Sequence, residues 1–223
     1  MCIRDRVKTC KKNGLNAILK DWKDINPKDF ESFDAVISIG AFEHFSSIEE
    51  VVEGKQDQIY DDFFKLCSEL IPKKGRLFLQ TSIWGSNVPW GNKSPTREDI
   101  KKYIRYDAPR LSDERTIALI TGFFPGSMLP VNLEQIVEAA KPYFKLVSSK
   151  NGREDYVQTT REWLKKWYEP SLAKTITLAK MFPRYILGGK KNKAWFDFIR
   201  ESAMLHAFAG KIFDHERIFF EKV

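Results

Sequence analysis

The fold class is decided by one stretch of sequence, Phe33-Asp34-Ala35-Val36-Ile37-Ser38-Ile39-Gly40. Its apolar residues are nearly continuous, which is typical of a parallel β-strand covered on both faces. Residues 48–71 follow with apolar side chains at helical spacing, and residues 76–83 have the pattern of a second strand. A strand, a helix and a strand in this order predict a right-handed crossover and a parallel sheet.

Shorter patterns extend this unit in both directions. Residues 8–13 end at Gly14, which suits the last turn of a helix and its C-cap. Further strands are predicted over 15–19, 144–148 and 216–221, and further helices over 97–106, 133–140, 155–168, 172–182 and 194–209. The order predicts an α/β fold, namely the second half of an open sheet with an added helical cap.

Composition excludes several classes of protein. Of the 223 residues, 43% are hydrophobic and 30% are charged, which is ordinary for a folded domain and not for a disordered chain. No apolar run approaches the roughly 18 residues that a membrane span needs. Lys and Arg exceed Asp and Glu by 37 to 30, and the net charge of +7 favours an anionic partner such as a lipid head group, nucleic acid or acidic metabolite.

The cysteines and histidines indicate a compartment rather than a metal. The three cysteines form no CxxC pair, the three histidines have no ligand spacing, and the N-terminus lacks the apolar region of a signal peptide. We therefore expect a reducing, cytoplasmic environment and no metal site.

Glu43 and His44 follow the strand that ends at Gly40. In open α/β sheets, ligands bind beyond the carboxyl ends of the strands, and a carboxylate there can hold a cation or accept a proton. The residues alone leave two alternatives open. Glu43 caps the helix that begins after Ser46 or Ser47, and His44 is an ordinary packing residue.

Three stretches carry a resemblance to a known family: residues 33–45, which include Glu43; residues 123–130, Phe-Phe-Pro-Gly-Ser-Met-Leu-Pro; and residues 156–163, Tyr-Val-Gln-Thr-Thr-Arg-Glu-Trp. In order and separation they resemble the cyclopropane-fatty-acid synthases and mycolic-acid cyclopropane synthases, which are S-adenosylmethionine-dependent methyltransferases. The resemblance implies a Rossmann-like class I methyltransferase sheet, with this chain, 1–223, as a single partial domain. Cap and substrate-side elements are expected over 84–130 and 155–210.

The resemblance also implies catalytic residues, Glu43, Tyr156 and Gln80. Glu43 would lie beside the reacting methyl group, in a site holding a bicarbonate ion that acts as general base, and Tyr156 would donate a hydrogen bond to that ion. An amphipathic surface tyrosine is the alternative for Tyr156. Gln80 stands where lipid-modifying members usually carry histidine, and Ser82 where they carry isoleucine. Because Gln80 cannot become a cation, simple methyl transfer is an alternative to ring formation.

Two segments are implied to hold the cofactor, S-adenosylmethionine. Asp21-Trp22-Lys23 would flank its adenine, with Trp22 as a core or rim aromatic the alternative, and Ser38-Ile39-Gly40 would also bind the cofactor. The family's Gly-rich cofactor loop would precede Lys8, so we expect an N-terminally truncated domain. The first six residues, MCIRDR, resemble a translated sequencing adapter; a non-native leader is expected, and a genuine short arm is the alternative.

Substrate residues are expected among the numerous aromatics. Candidates for an acyl-chain channel are Phe42, Phe45, Phe123 and Phe124, with core packing as the alternative. The implied reaction transfers a methyl or methylene group to an unsaturated acyl chain of a phospholipid. Alternatives are methylation of a small amine or other metabolite, and non-catalytic binding to a lipid surface.

Two basic runs bear on the partners, Lys165-Lys166 and residues 190–193. They are solvated faces or attract anionic head groups, at ~1 kcal/mol per residue near a membrane. We expect phospholipid at the inner membrane surface as the partner and, without an RNA or DNA motif, no nucleic acid. Met204 stands where some family members carry a cysteine.

Overall fold

The computed structural model describes residues 3–188 and 196–223. Its sheet has four strands: β1 (Ala35–Ile39), β2 (Arg76–Trp84), β3 (Phe144–Asn151) and β4 (Phe213–Lys222). Their spatial order is β1-β2-β4-β3. The β1–β2 pair is parallel, as predicted, whereas β4 is antiparallel to both β2 and β3, so the sheet is mixed.

Helices occupy the connections. They are α1 (Ile3–Lys12), α2 (Ile48–Val52), α3 (Gln56–Leu70), α4 (Arg97–Tyr103), α5 (Asp113–Phe123), α6 (Leu133–Ala140), α7 (Arg153–Tyr168), α8 (Leu172–Leu187) and α9 (Ala203–Ala209). Short 3₁₀ turns lie at Trp22–Asp24, Pro27–Asp29 and Phe42–His44, and residues 196–200 are also helical. The helix predicted over 48–71 is two helices, because the chain turns at Gly54 with φ +74°.

The sheet buries one face and exposes the other. Leu77 and Leu79 of β2 are fully buried against α3 and α6, in a core that contains Phe42, Tyr60 and Phe64. On the opposite face, Ile37 of β1 is 69% exposed, and Phe219 of β4 is 45% exposed. The prediction that β1 is covered on both faces is therefore wrong for the part of the chain that the structure describes.

The structure differs from the sequence prediction in two further places. Residues 15–19 form no strand: a strand needs a neighbour for its backbone groups, and none of the four strands pairs with them. The helix α5 was not expected, although Ser112 caps it by accepting a hydrogen bond from the amide of Arg115 at 3.3 Å. Most of its central turns, including Ile117 and Ile120, are buried.

A second core lies under the helical cap. It packs Trp84 and Trp90 at 4.6 Å between ring centroids, together with Ile117, Phe208 and Phe213. The helix predicted over 194–209 is divided at Ser202, which has φ +52°; residues 194 and 195 lie outside the described residues. Within the described ranges, every helix is too short or too polar to span a lipid bilayer.

Candidate active site

A sharp turn at the end of β1 places Glu43. Gly40 has φ +61°, a conformation that favours glycine, and its amide donates to the carbonyl of Gln80 at 3.0 Å. A Cβ added at Gly40 would lie 3.8 Å from Oε1 of Glu43. The hydroxyl of Thr81 lies 3.0 Å from Oε2 of Glu43. The carboxylate is thus held over the strand ends, as the sequence predicts.

Glu43 does not cap the following helix. Ser47 is the N-cap of α2: its hydroxyl accepts from the amide of Glu50 at 3.2 Å, and Oε2 of Glu50 accepts from the amide of Ser47 at 2.8 Å. This capping box fills the role that the alternative gave to Glu43. The alternative is wrong, and the Glu43 carboxylate is available for a ligand.

Burial raises the pKa of Glu43 above its ordinary value. Hydrogen bonds from its own backbone amide and from Thr81, together with the charge of His44, oppose this rise without cancelling it. A carboxyl group that favours its neutral form more than in water is a better proton acceptor when ionised. Its environment suits a general base.

His44 and Tyr156 approach the same space from different elements. Nδ1 of His44 lies 2.7 Å from the hydroxyl of Ser127. The ring of Tyr156, near the start of α7, packs at 4.7 Å against both Phe208 and His215. Burial, and secondarily the negative charge of Glu43, raise the pKa of Tyr156, so its phenol stays a hydrogen-bond donor.

These residues line a polar cavity of about 240 Å³. Glu43, His44 and Tyr156 share its wall with Gly40 and Ser82. The remaining wall is mostly apolar: Trp84, Ile120, Phe124, Leu129, Met204 and Phe213, with the hydroxyls of Thr121 and Ser127. The structure thus brings two of the three catalytic candidates, Glu43 and Tyr156, to one cavity.

A larger apolar cavity of about 400 Å³ adjoins it. The two cavities share three lining residues, Phe124, Tyr156 and Met204. The larger one is lined almost entirely by aromatic and aliphatic side chains from α5, α7, α9 and residues 198–202. An apolar space that meets a polar one at a tyrosine suits a ligand with a long hydrocarbon part.

Only half of the predicted channel residues line these cavities. Phe123 and Phe124 line the apolar cavity, and Phe123 stacks on Phe198 at 4.1 Å. Phe42 instead is fully buried against Tyr60 at 4.3 Å. Phe45 packs in the sheet core, at 4.9 Å from Phe63. Core packing, the alternative, is correct for Phe42 and Phe45.

Gln80 lies outside the lining of the polar cavity. It shares a strand face with Ser82 but sits two residues earlier in β2, about 7 Å down the strand. There it pairs with Ile39 on one side and Arg217 on the other. Ser82 and Tyr156 are therefore closer to Glu43's cavity than Gln80 is, and the catalytic role of Gln80 is not supported by this placement.

The predicted cofactor segments are dispersed. Asp21 accepts from the amide of Lys23 at 3.0 Å and so caps a 3₁₀ turn. Trp22 packs against Phe45 at 4.9 Å and Phe63 at 5.8 Å, so the core-aromatic alternative describes its contacts. The first segment lines a separate shallow cavity with α3. Of the second segment, Gly40 lines the polar cavity, whereas Ser38 is buried and Ile39 is exposed.

The cavity's donors bear on the bicarbonate prediction. The hydroxyls of Tyr156, Ser82 and Thr121 are present on its lining, but no Lys or Arg is among its described residues. An anion beside Glu43 would rely on those hydroxyls and on His44 for compensation. Bicarbonate stays a prediction. Lys165 and Lys166 are exposed at the end of α7, and the run 190–193 lies outside the described residues.

Three residues at the site were not among the predicted site residues: Thr81, His215 and Ser127, which lies within the family-like stretch 123–130. His215 is buried opposite Ser82 in the β2–β4 ladder, and its Nδ1 has no hydrogen-bond partner among the described residues. Burial, and then the charge of Arg217, lower its pKa to about 4. A neutral imidazole therefore supports the ring of Tyr156.

The fold is shared with solved methyltransferase structures. The cyclopropane synthase MmaA2 of Mycobacterium tuberculosis matches 98% of this chain and 67% of its own, with a TM-score of 0.62 and 20% identity. The mycolic acid cyclopropane synthase CmaA1, complexed with SAH and CTAB, matches equally at 19% identity. A geranyl diphosphate C-methyltransferase of Streptomyces coelicolor A3(2) reaches a TM-score of 0.55. These similarities define the fold class: the α/β fold that the chain shares with these enzymes.

The family follows from sequence. The family model described as mycolic acid cyclopropane synthetase matches residues 2–192, and the chain belongs to that family. Hydroxymycolate synthase MmaA4 of Mycobacterium tuberculosis is 27% identical over 149 residues, 66% of this chain and 40% of the relative. Cyclopropane mycolic acid synthase 2 of Mycobacterium leprae is 31% identical over 120 residues, 48% of this chain and 32% of the relative. The chain thus spans less than half the length of these relatives.

Proposed function

We propose that the protein to which this chain belongs transfers a methyl or methylene group from S-adenosylmethionine to an unsaturated acyl chain of a phospholipid. The observation that carries this proposal is the junction at Tyr156, where the cavity of Glu43 meets the larger apolar cavity. An acyl chain matches the apolar lining, and its double bond would lie at the junction. A small polar amine would leave most of that lining without a partner.

The residues at the strand end fit a sulfonium cofactor. Gly40 leaves open space that a side chain would fill, and Glu43 supplies a negative charge beside it. S-adenosylmethionine, when bound there, supplies an electron-poor methyl carbon on a cationic sulfur. Trp84 and Phe213 make part of the wall of the same cavity apolar.

The proposed reaction requires a base, because a proton must leave the added methyl group when the ring closes. The double bond of the acyl chain supplies the electron pair of the new carbon–carbon bond, and the carbon–sulfur bond breaks with its electrons on sulfur. A proton then leaves the added methyl group, and its C–H electrons close a cyclopropane ring. Glu43 is the proposed acceptor of that proton, because burial raises its pKa and Thr81 holds its orientation.

Tyr156 is proposed to fix the reacting end of the substrate. Its ring lies on His215 and Phe208 and lines both cavities, so its position sets the width of the junction. Its phenol is a donor for Glu43 or for a bicarbonate ion between them. A bicarbonate ion, if bound there, would supply a second proton acceptor, and Tyr156, Ser82 and His44 are the residues that would hold it.

The test is a lipid profile. The gene that encodes this chain, with whatever coding sequence adjoins it, is expressed in cells rich in unsaturated phospholipids, and their lipids are measured by mass spectrometry. We expect acyl chains that have gained one methylene unit, absent with Glu43→Gln. An unchanged profile, or labelled methyl groups from the cofactor only in soluble amines, would refute the phospholipid assignment.

A further inference from the structure

An apolar stripe of α8 faces outward. Leu172, Ile176, Ile186 and Leu187 are 79%, 46%, 59% and 84% exposed. At 100° per residue, their spacing puts all four on one side of the helix. The half-buried members of α8 are Lys174, Leu178 and Met181, which the same spacing puts on the opposite side. Among its described side chains α8 has none that is fully buried, and the described residues leave its apolar side uncovered.

Aromatic side chains of α7 continue this surface. Trp163 and Tyr168 are both exposed, and Trp163 also lines the apolar cavity. Nζ of Lys174 donates to the carbonyls of Trp167 and Glu169, which joins the start of α8 to the end of α7. Tryptophan and tyrosine are enriched where a protein meets the membrane–water interface. The docking surface, as we name it, comprises the α8 stripe with Trp163 and Tyr168.

The charge around the docking surface is positive. The sequence of α8 contains no Asp or Glu, and its Lys180 is exposed, whereas Lys174 donates to the carbonyls of Trp167 and Glu169. At the end of α7, Lys166 is exposed and Lys165 pairs with Glu162. Helices with an apolar face flanked by lysines lie in the head-group region of membranes, where anionic lipids attract them. An anionic lipid surface explains why the basic residues of α7 and α8 outnumber the acidic ones, whereas a protein partner of ordinary composition does not.

We propose that the docking surface binds an anionic phospholipid bilayer, with the α8 stripe at the boundary of head groups and acyl chains. Its position beside the apolar cavity would let an acyl chain pass from the bilayer towards Tyr156. This use rests on the proposed function, but binding itself requires neither cofactor nor turnover. The two proposals can therefore fail separately.

Vesicle co-sedimentation of the full chain tests the proposal. We expect binding to vesicles of phosphatidylglycerol with phosphatidylcholine and several-fold weaker binding to phosphatidylcholine alone. The triple variant Leu172→Asn, Ile176→Asn and Leu187→Asn should lower the bound fraction by about tenfold or more, since exposed apolar side chains drive insertion. Lys165→Gln with Lys180→Gln should weaken only the binding to anionic vesicles.

Matched controls separate this surface from other exposed groups. Ile37→Thr with Phe219→Thr removes apolar groups from the open sheet face, and Lys28→Gln with Lys73→Gln removes two distant exposed lysines. Both control pairs should bind vesicles as the parent chain does. Binding that survives the triple variant, or is lost with the sheet-face pair, would overturn the proposal.

A second copy of the chain is the competing occupant. If sedimentation velocity without lipid shows a dimer that the α8 triple variant dissociates, the surface serves self-association and the proposal is overturned. Glu43→Gln should keep full vesicle binding. If the lipids of cells that express the parent chain stay unmodified while vesicle binding depends on α8, the proposed function fails and the docking surface stands.

Discussion

The hydroxyl of Thr81 lies 3.0 Å from Oε2 of Glu43 and 3.1 Å from the carbonyl oxygen of Ser82. One hydroxyl proton can satisfy only one of these acceptors. The ionised carboxylate is the stronger acceptor, so Thr81 donates to Glu43 when Glu43 is charged and to Ser82 when it is protonated. The acceptor of the Thr81 hydrogen bond therefore changes with the protonation state of Glu43, the proposed base.

Thr81→Val removes that donor with little change of shape. The ionised form of Glu43 loses a hydrogen bond, so its already raised pKa should rise further. The acidic limb of the pH–rate profile, where Glu43 becomes ionised, should move to higher pH. Thr159→Val is the control, because the exposed Thr159 hydroxyl donates to the carbonyl of Asp155 in its own helix and lines neither cavity. If the acidic limb lies at the same pH in both variants, Thr81 does not affect the pKa of the base and has no role in the mechanism.

Glu43→Gln should lower turnover by ~10²-fold or more, the range for losing an acid–base group. As pH rises, the free energy of unfolding of the variant should increase relative to that of the parent. Because the folded pKa of Glu43 is raised, the parent loses stability as pH rises from the unfolded pKa through the folded one, and the variant lacks this loss. Urea unfolding at a series of pH values measures the difference. Near-parental turnover would refute the role of Glu43.

His215 predicts the opposite dependence on pH. Its folded pKa is lowered to about 4, so the unfolded chain binds its proton first as pH falls. Stability should therefore decline between the ordinary histidine pKa and about 4, and His215→Phe should decline less across that window. The groups that face His215 are Arg217, Asp214 and Asp155, none of which is changed.

The histidine experiment has its own control. His206 is partly exposed and lies 3.4 Å from Asp113, so His206→Gln should keep the parental decline. If His215→Phe and the parent lose stability in parallel from neutral pH to pH 4, the buried neutral imidazole is not the cause. Retention of the Tyr156 contact is expected, because phenylalanine preserves a ring against that side chain.

The parallel core was predictable because its signals are local. The apolar run of β1, the helical spacing of α3 and the stop at Pro72 each lie within a few turns of chain. The placement of β4 between β2 and β3 was not, because strand order depends on contacts that no local pattern encodes. The apolar run also overstated burial, since Ile37 faces solvent among the described residues.

The site was predictable only where the chain itself turns. The rule that ligands bind at strand ends made Glu43 a candidate, and the family resemblance favoured it over a helix cap. Thr81 and Ser127 reach Glu43 and His44 from 38 and 83 residues away, and no spacing announces such pairs. Phe42 was a channel candidate only as one of the numerous aromatic residues, and aromatic character does not distinguish a cavity wall from the core, where Phe42 is fully buried.

The cap is held by a buried ion pair. Nε and Nη2 of Arg115 each lie 2.9 Å from an oxygen of Glu201, and Nη2 also lies 3.0 Å from Asp197. Glu201→Gln should lower the free energy of unfolding by about 3–5 kcal/mol, because it leaves the guanidinium without its main partner. Arg115→Met with Glu201→Leu should recover much of this, as measured by urea unfolding. Glu138→Gln, which breaks the exposed pair with Lys141, should cost less than about 1 kcal/mol.

Met204 predicts how the two cavities are used. Its side chain lines both, at the junction with Tyr156 and Phe124. Met204→Trp adds volume at that point and should obstruct a chain that passes through it, at a cost of about 1–3 kcal/mol of stability. Met204→Leu conserves volume and is the control. Titration with a fluorescent long-chain fatty acid should show affinity about tenfold weaker or more for the tryptophan variant and near-parental affinity for the leucine variant. If both variants bind the probe equally well, the acyl chain does not cross the junction, and the link between the apolar cavity and Glu43 is lost.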